Sequence, residues 1–546
     1  MAPALAEPGD DMSKLDTATL AELVRRETSV RHLIESRAAE LGGETYLQFE
    51  HQTYSYDAMD RLANRAANGL AQRGVGRGDR VAVMMRNSVE WLAAWFGTVK
   101  LGAVIVPVNA AYRGDGLAHV VNDCGASVAF VDADLHERFE AIREKITGLR
   151  TLVTRAAEGV PAIGLSLPEL LDAGDSRPAG VELRPRDPAA ILYTSGTTGP
   201  AKGCVLPHGQ YLAAAHQMND NNGYSRGTVL YSCLPLNHIN AQNYSVLCSW
   251  AAGGQLALDA KFTASGFWQR LIDTGADAFN IIGGIPLMLW AQPERAEEKL
   301  HKAQIAFGVP VPLDIWERWE ERFGVRVVYA YGMTENGLPT VFPYEATPAA
   351  ASLRGSGGRA SPSADVAVVD EDDQPVAPGM VGEIITRPKI PWTMMLEYYN
   401  NPAATVSAWR NGWFHTGDLG YLDDAGHLFY VDRKKDAMRR RGEMVSSWDV
   451  ENVSGKYPGV NEVAAYGIPS ELGEDEVMTA LVVADPDSFD PADFVAFCRD
   501  HLAAFQVPRY VRLVSEIPRT QTARIEKYKL RAEGVTGGTF DAMASA

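Results

Sequence analysis

Residues 78–132 read "GDRVAVMMRNSVEWLAAWFGTVKLGAVIVPVNAAYRGDGLAHVVNDCGASVAFVD", and this stretch decides the fold class. Its short apolar runs predict strands, and its longer amphipathic runs predict helices. Strands are expected at 80–85, 103–108 and 127–131, and helices near 88–101 and 115–123. Repeated strand–helix–strand units of this length predict a parallel sheet with helices on its faces. We therefore expect an α/β protein.

The composition limits the size class and the partners. A chain of 546 residues is too long for one hydrophobic core, so two or more domains are expected. The net charge of -18 argues against a nucleic-acid surface, although a nucleotide needs only backbone amides and a few cations. The 5 cysteines form no C-x-x-C pair, which favours buried thiols in a reducing cytoplasm. With no apolar run of about 18 residues and no signal-peptide pattern, we expect a cytoplasmic protein without a membrane span.

The strand–helix–strand pattern does not continue into the last third of the sequence. "ADVAVVD" and "VGEIITR" predict a hairpin, a further strand ends at Arg433, and residues 434–447 ("KKDAMRRRGEMVSS") suit a charged surface linker. The remainder predicts strands at 461–468, 476–484 and 510–516 and a helix at 491–504, with Asp490 as its N-cap and Pro491 in its first turn. We therefore predict domains at 1–434 and 435–546.

Residues 191–203, "ILYTSGTTGPAKG", carry the strongest chemical pattern. An apolar strand runs into a loop whose glycines allow backbone amides to approach an anion, while hydroxyls add donors and a lysine adds charge. This pattern predicts a phosphate-binding loop, although its spacing is not that of G-x-x-x-x-G-K-[ST]. The predicted phosphate-binding residues are Thr194, Ser195, Gly196, Thr197, Thr198, Gly199 and Lys202.

Four more motifs follow in order: "YGMTE" (331–335), "GEI" (382–384), "GWFHTGDLG" (412–420) and "VDRKKD" (431–436). Together with the loop, they resemble the acyl-adenylate-forming enzymes, which include acyl- and aryl-CoA ligases, luciferases and peptide-synthetase adenylation domains. The resemblance covers nearly the whole chain. It implies a large N-terminal domain of parallel-type sheets with flanking helices and a small β-barrel-like part. A small, mobile α+β C-terminal domain would follow.

The resemblance also implies a nucleotide site. Glu335 would hold Mg²⁺, which prefers oxygen ligands, and Thr334 would bind the α-phosphate. Asp418 would accept hydrogen bonds from the ribose hydroxyls, and Arg433 would support the same sugar. Without the resemblance, Thr334 and Glu335 could equally start a helix, and Asp418 could belong to a turn. The residues implied around the adenine are Gly308, Val309, Pro310 and Tyr331.

An acyl pocket and a coenzyme A tunnel are implied in the same way. His238 would separate the two, with a hydrogen-bonded core histidine as the alternative. The residues implied along the acyl pocket are His238, Asn243, Ile282, Gly283, Gly332 and Met333, with further amides at Asn240, Gln242 and Asn280. This lining suggests a sizeable hydrophobic carboxylic acid.

The linker region would serve the second substrate. Lys435 would be the hinge about which the C-terminal domain turns, although an exposed linker lysine has the same composition. The residues implied along the coenzyme A tunnel are Arg441, Gly442 and Glu443. Arg439 to Arg441 would meet the coenzyme A phosphates, unless they form a plain solvated charge run.

One position departs from the family pattern. Relatives generally read P-R-T-x-x-G-K-I near the C-terminus, and their lysine reaches the site during adenylation. This chain reads "PRTQTARIEKYKLR" at 518–531, so that Ala523 replaces the glycine and Arg524 stands at the lysine. Lys527 could fill the lysine's role only after a shift in register. We therefore expect a ligase that uses pre-formed acyl-adenylate efficiently and makes it poorly, supplied by a separate adenylating enzyme.

Several alternatives stay open at this stage. A complete ATP-dependent acyl-CoA ligase would tolerate Arg524. Another enzyme would transfer the acyl group to a carrier-protein thiol, and a catalytically dead protein would only bind the adenylate. Luciferase-type oxygenation is possible on the same scaffold, but no feature of the sequence calls for it.

Overall fold

The computed structural model describes residues 15–157, 159–194, 201–308, 311–344, 351–434, 436–440, 443–469, 475–519 and 525–544. It divides into two compact units, and each is described by itself. The first contains residues 1–194, 202–366 and 387–406, and the second contains residues 195–201, 367–386 and 407–546. The predicted boundary at 434/435 falls inside the second unit, next to a position outside the described residues, and it stays a prediction.

An eight-stranded sheet in the first unit carries the stretch that decided the fold class. In spatial order its strands are Glu397–Tyr398, Lys202–Pro207, Pro188–Thr194, Val104–Pro107, Arg80–Met84, Val128–Asp132, Thr151–Arg155 and Leu165–Ser166. The six strands from Pro188–Thr194 onwards are parallel, and the first two run antiparallel to their neighbours. The predicted strands and the helices Val89–Lys100 and Gly114–Cys124 are confirmed. Ser88 caps the first of these helices by accepting a hydrogen bond from Trp91 N at 3.1 Å.

The first unit also contains a seven-stranded sheet and a two-stranded sheet of Thr340–Val341 and Arg359–Ala360. In spatial order the strands of the seven-stranded sheet are Arg326–Tyr329, Ile305–Gly308, Ala278–Ile281, Val229–Ser232, Gln255–Leu258, Thr45–Phe49 and Gln52–Ser55. All neighbours are parallel except the last pair. Parallel strands covered on both faces must be apolar throughout, and Ala278–Ile281 and Ile305–Gly308 are buried at every position.

The helices of the first unit cover these sheets. They are Thr17–Glu27, Val30–Leu41, Tyr56–Ala71, Val89–Lys100, Gly114–Cys124, His136–Glu140, Leu167–Ala173, His208–Asn222, Ile239–Ala241, Cys248–Ala252, Phe267–Thr274, Ile285–Trp290 and Trp316–Phe323. A π-helical turn spans Gln242–Leu247. Trp91, Trp95, Trp250 and Trp319 are fully buried and supply much of the apolar surface that stabilises these layers.

The second unit contains most of a five-stranded sheet and the C-terminal sheet. The first has the order Ala364–Val369, Gly382–Pro388, Trp413–Leu422, Trp409–Arg410, with Leu428–Arg433 also paired to Trp413–Leu422. The predicted hairpin strands are thus neighbours, as expected. The C-terminal sheet has the order Val460–Pro469, Asp475–Val483, Tyr510–Leu513, Thr539–Asp541, and its helices are Ser447–Ser454, Pro491–His501 and Lys527–Glu533. Asp490 caps the helix that starts at Pro491, as predicted.

The predicted surface linker is wrong for the two strands Met438–Arg440 and Glu443–Val445, which pair antiparallel to each other. Met438 and Val445 are fully buried in an apolar cluster. Arg440 is buried too, 2.6 Å from Glu476, and it donates to the carbonyl of Val507 at 2.7 Å. Arg440 is therefore neither solvated nor directed at a phosphate, because its charge is neutralised within the second unit.

Two predictions from composition can be checked directly. All five cysteines are free and buried, as expected for thiols that serve only packing. Among the residues that the structure describes, no helix is both long enough and apolar enough to cross a membrane.

Candidate active site

The predicted phosphate loop connects two paired strands of the eight-stranded sheet. Thr194 ends a parallel strand and pairs with Lys202, which begins the antiparallel strand that returns from the loop. The loop therefore leaves the carboxyl edge of the parallel strands, the edge at which α/β sheets bind ligands. Residues Ser195 to Gly199, which carry most of the predicted phosphate contacts, lie outside the described residues.

Glu335, the predicted Mg²⁺ ligand, lies in a turn of the first unit and is 5% exposed. Its main-chain carbonyl accepts from Met395 N at 2.8 Å, and Oε1 of its carboxylate accepts from the Tyr398 hydroxyl at 3.0 Å. Thr334 is half-buried, and its carbonyl accepts from the side chain of Gln210 at 2.8 Å. The two residues form a turn, so the helix start that the sequence also allowed is not what the chain adopts.

Tyr398 is a site residue that the sequence did not single out. Besides its hydrogen bond to Glu335, its ring lies 5.3 Å from Nζ of Lys202, with the cation over the ring. One side chain thus contacts both the predicted metal ligand and the predicted phosphate lysine. "EYYNNP" reads as an ordinary strand end, and only the pairing of Tyr398 with Cys204 brings the ring to this place.

Two glycines of the predicted nucleotide and acyl sites are required by close backbone approaches. Gly308 has φ 151°, and a Cβ there would lie 1.7 Å from the carbonyl oxygen of Ile281. A Cβ on Gly332 would lie 2.3 Å from the carbonyl oxygen of Gly337. Tyr331, predicted against the adenine, is buried, and its main-chain N donates to Thr340 at 3.0 Å. Val309 and Pro310 lie outside the described residues.

The predicted acyl-pocket residues lie on several elements of the first unit. His238 is half-buried just before the helix Ile239–Ala241, and its role between the two predicted sites stays a prediction. Ile282 is half-buried and Gly283 exposed, in the turn that follows the strand Ala278–Ile281. Met333 is half-buried beside the exposed Gly332.

The amides near this predicted pocket differ in their pairing. Asn280 donates to Asn240 at 3.1 Å and to Ser245 at 3.0 Å, and Gln242 donates to the carbonyl of Leu236 at 2.7 Å. Asn243 is 0% exposed, and neither polar atom of its amide has a hydrogen-bond partner among the described residues. It lies in the π-helical turn, a type of helix often found at functional sites.

The second unit contains the predicted ribose pair. Asp418 lies in the strand Trp413–Leu422, opposite Arg433 on the neighbouring strand, and the guanidinium lies 2.9 Å from its carboxylate. Asp418 is 2% exposed and belongs to a strand, so the turn position that the sequence also allowed is wrong. Paired strands therefore place together the two residues expected to bind one sugar.

Glu383 of the "GEI" motif lies in the same sheet as the ribose pair. Lys434 lies 2.9 Å from its carboxylate and His415 lies 3.3 Å from it. Burial alone would raise the pKa of Glu383, but these two partners outweigh burial, and the pKa lies below its ordinary value. The carboxylate therefore stays charged and fixes Lys434, the residue next to the predicted hinge.

Lys527 is held within the C-terminal part of the second unit. Its Nζ lies 2.5 Å from Ser447 Oγ and 2.8 Å from the carboxylate of Glu451, and its side chain is 11% exposed. Ser447 in turn donates from its N and its Oγ to Asp432, both at 2.6 Å. The ammonium group already has an acceptor and a counter-ion, which argues against its acting in place of the family lysine.

The remaining predicted residues cannot be placed. Lys435, Arg441, Gly442 and Arg524 lie outside the described residues, and the side chain of Glu443 is not described. Their roles as hinge, coenzyme A tunnel and substituted catalytic position stay predictions.

Comparison with known families matches most of the chain. The model of the AMP-binding enzyme family matches residues 34–399, and that of the AMP-binding enzyme C-terminal domain matches residues 449–524. A crotonobetaine/carnitine–CoA ligase of Proteus mirabilis (strain HI4320) is 30% identical over 485 residues, covering 88% of this chain and 93% of the relative. One from Salmonella paratyphi A (strain ATCC 9150 / SARB42) is 29% identical over 522 residues, covering 92% and 99%.

Solved structures of the same type are also similar. A fatty acyl CoA synthetase of Mycobacterium tuberculosis has a TM-score of 0.72 and 30% identity, covering 92% of this chain and 98% of the other. An anthranilate CoA ligase in complex with anthranoyl-AMP has a TM-score of 0.83, covering 96% and 100%, and at 22% identity it supports the fold alone. The predicted α/β fold, with its large N-terminal domain, is thereby confirmed.

Proposed function

The chain belongs to the AMP-binding enzyme family and is an acid–thiol ligase, and from this premise we propose that it acts mainly in thioester formation. It converts the adenylate of a sizeable hydrophobic carboxylic acid and coenzyme A into acyl-CoA and AMP. Its own adenylation step is impaired by Arg524, and a separate adenylating enzyme supplies the intermediate. The predicted cytoplasmic location belongs to the same proposal.

The observation that carries this proposal is the engagement of Lys527. In adenylation the substrate carboxylate attacks the α-phosphorus of ATP and pyrophosphate leaves, so two anions must meet. A slim ammonium can contact both, whereas a guanidinium is planar, bulkier and more diffuse. Lys527 is the nearby lysine that could compensate, and it is held by Ser447 and Glu451 at 2.5 and 2.8 Å.

The nucleotide roles follow from the two units separately. In the first unit, Thr194, Lys202 and Thr334 bind phosphate oxygens, and Glu335 provides the carboxylate for Mg²⁺. In the second unit, Asp418 binds the ribose hydroxyls, with Arg433 fixing its orientation at 2.9 Å.

Glu335 fits a metal-binding role of this kind. Mg²⁺ is usually held by one or two carboxylates together with substrate phosphates, and it adds positive charge at the phosphate oxygens. No group of three or more acidic, histidine or cysteine side chains that could hold a metal occurs among the described residues. A single carboxylate oriented by the Tyr398 hydroxyl is compatible with a site that substrate phosphates complete.

We propose that apolar side chains line the acyl pocket together with one amide group, that of Asn243. Three neighbouring amides are satisfied within the protein, whereas that of Asn243 is fully buried and unpaired. An unpaired buried polar group costs about 1–3 kcal/mol, a cost that a polar group on the acid would offset. Similarity to relatives named as crotonobetaine/carnitine–CoA ligases supports the proposal of a polar group on the acid.

Asn243→Leu is therefore expected to raise the free energy of unfolding by about 1–3 kcal/mol and to shift the acid preference towards wholly apolar acids. Denaturant unfolding and thioester formation over a panel of synthetic adenylates measure the two effects. Asn280→Leu is the matched control, and it should destabilise the protein because it removes two hydrogen bonds. A destabilised Asn243→Leu with unchanged acid preference would contradict the assignment.

The second candidate function is a complete ATP-dependent acyl-CoA ligase. The observation that favours it is the 30% identity to a relative named as a CoA ligase over 88% of this chain. On this reading Arg524 binds the two anions well enough for ordinary turnover. A carrier-protein thiol in place of coenzyme A is distinguished by direct competition between the two thiols.

The two candidates are separated by assaying each half-reaction alone. Pyrophosphate release is followed with acid and ATP, and thioester formation is followed from synthetic acyl-adenylate and coenzyme A. We expect thioester formation to exceed pyrophosphate release by about 10²–10³-fold for the same acid. Comparable rates would establish the complete ligase, and tight adenylate binding without thioester would establish a binding protein.

A further inference from the structure

Tyr398 joins two charged side chains of the first unit, Glu335 and Lys202, which are proposed to bind Mg²⁺ and phosphate. Its hydroxyl donates to Oε1 of Glu335 at 3.0 Å, and Lys202 Nζ lies 5.3 Å from its ring centroid. The carboxylate contacts the polar end of the ring, and the ammonium contacts its electron-rich face. Both attractions act on one rigid side chain with few rotatable bonds.

Hydrogen bonds hold the main chain at Tyr398 and at the next residue, Tyr399. Tyr398 N donates to Thr405 Oγ1 at 3.0 Å, and Tyr399 N donates to the carbonyl of Gly203 at 2.7 Å. This pairing ties the residue to the strand that leaves the phosphate loop. The main chain of Tyr398 therefore cannot shift without breaking hydrogen bonds of this sheet.

The main chain of Glu335 is bound by the same segment that contains Tyr398. Its carbonyl accepts from Met395 N at 2.8 Å, three residues before Tyr398, so that one segment binds both its main chain and its side chain. A hydrogen bond to one carboxylate oxygen fixes the rotation of the group and leaves the other oxygen in a defined direction. Partners of this kind around a metal ligand typically change metal affinity by 10–100-fold when removed.

We infer that Tyr398 is a positioning residue that orients Glu335 for Mg²⁺ and couples it to Lys202 of the phosphate loop. The inference rests on the proposed metal-binding role of Glu335. Steps that involve the triphosphate need this orientation, because there the metal and the phosphates are bound together. Thioester formation from acyl-adenylate does not need it, because the adenylate has no triphosphate.

The test is the Mg²⁺ dependence of ATP binding in the absence of acid, measured by calorimetry on the full-length protein. In the wild type, Mg²⁺ should strengthen ATP binding. Tyr398→Phe keeps the ring over Lys202 and removes only the hydroxyl, and we expect it to raise the Mg²⁺ concentration needed about tenfold. Its affinity for AMP without metal should stay at the wild-type value.

Tyr399→Phe is the matched control, since it deletes the same atom from the next residue, which packs against an apolar cluster. It should leave both affinities unchanged. Glu335→Gln should remove the Mg²⁺ dependence, and adding Tyr398→Phe to it should have no further effect, because the hydroxyl acts through the carboxylate.

Three results would overturn the inference: a wild-type Mg²⁺ dependence in Tyr398→Phe, an equal loss of AMP affinity without metal, or an additive double variant. Because no turnover is needed, these results are independent of whether the wild type makes adenylate. Comparable half-reaction rates would therefore refute the proposed function and leave the role of Tyr398 standing.

Discussion

Arg524→Lys is expected to raise the rate of pyrophosphate release by about 10²–10³-fold, the effect of one preorganised charge contact at a reacting centre. The ammonium restores a compact charge between the attacking carboxylate and the phosphate oxygens. Thioester formation from synthetic adenylate should stay unchanged, because the proposed function restricts the role of this residue to the step in which those two anions meet. Both half-reactions are measured on the same preparation of each variant.

Arg519→Lys is the matched control for this substitution. It makes the same exchange five residues earlier, at a half-exposed arginine that lies 2.7 Å from Glu462. Exposed ion pairs contribute little, so both half-reactions should match the wild type. An unchanged rate of pyrophosphate release in Arg524→Lys would refute the account of Arg524. An equal increase in the rate of pyrophosphate release in Arg519→Lys would show that the increase does not depend on position 524.

The strands of the first unit were predictable because their signals are local. Apolar runs flanked by amphipathic helices allow few arrangements, so the strands Arg80–Met84 and Val104–Pro107 followed from spacing alone. Asp490 could be recognised as a helix cap for the same reason. Asp418 and Arg433 belong to separate motifs, and the structure pairs them across two neighbouring strands.

The residues that sequence reasoning missed all depend on contacts distant in the chain. Tyr398 meets Glu335 across 63 positions, and no periodicity marks either as a partner of the other. Arg440 was misjudged because a run of charges usually indicates solvent, whereas here Glu476 neutralises one of its members inside the fold. Charge patterns predict exposure only when no counter-charge approaches from elsewhere.

Lys527→Met is expected to increase the amide exchange rates of the helix Ser447–Ser454 by roughly 30- to 100-fold, or about 2–3 kcal/mol of local stability. In the wild type the ammonium group of Lys527 lies 2.8 Å from the carboxylate of Glu451. The substitution leaves that carboxylate without this partner. Removing one member of a buried pair costs about 3–5 kcal/mol, and the partial exposure of this pair reduces that cost. Hydrogen exchange with mass spectrometry measures the change, and it reports this helix separately from the first unit.

The control combines Lys527→Met with Glu451→Leu. Replacing both charged partners by apolar groups should recover most of the lost protection, because no buried charge is then left unpaired. Failure of the double variant to recover would mean that Lys527 stabilises the helix through Ser447 alone.

The loss of local stability of the helix Ser447–Ser454 in Lys527→Met should also depend on pH. Burial raises the pKa of Glu451 even with Lys527 opposing it, and without the ammonium group that opposition is gone. A carboxyl group with a raised pKa in the folded state binds its proton more tightly there than when unfolded, so the variant gains stability as the pH falls. The exchange difference from the wild type should therefore shrink between pH 8 and pH 5. A difference that grows towards acid pH would show that Glu451 is not the group left unpaired.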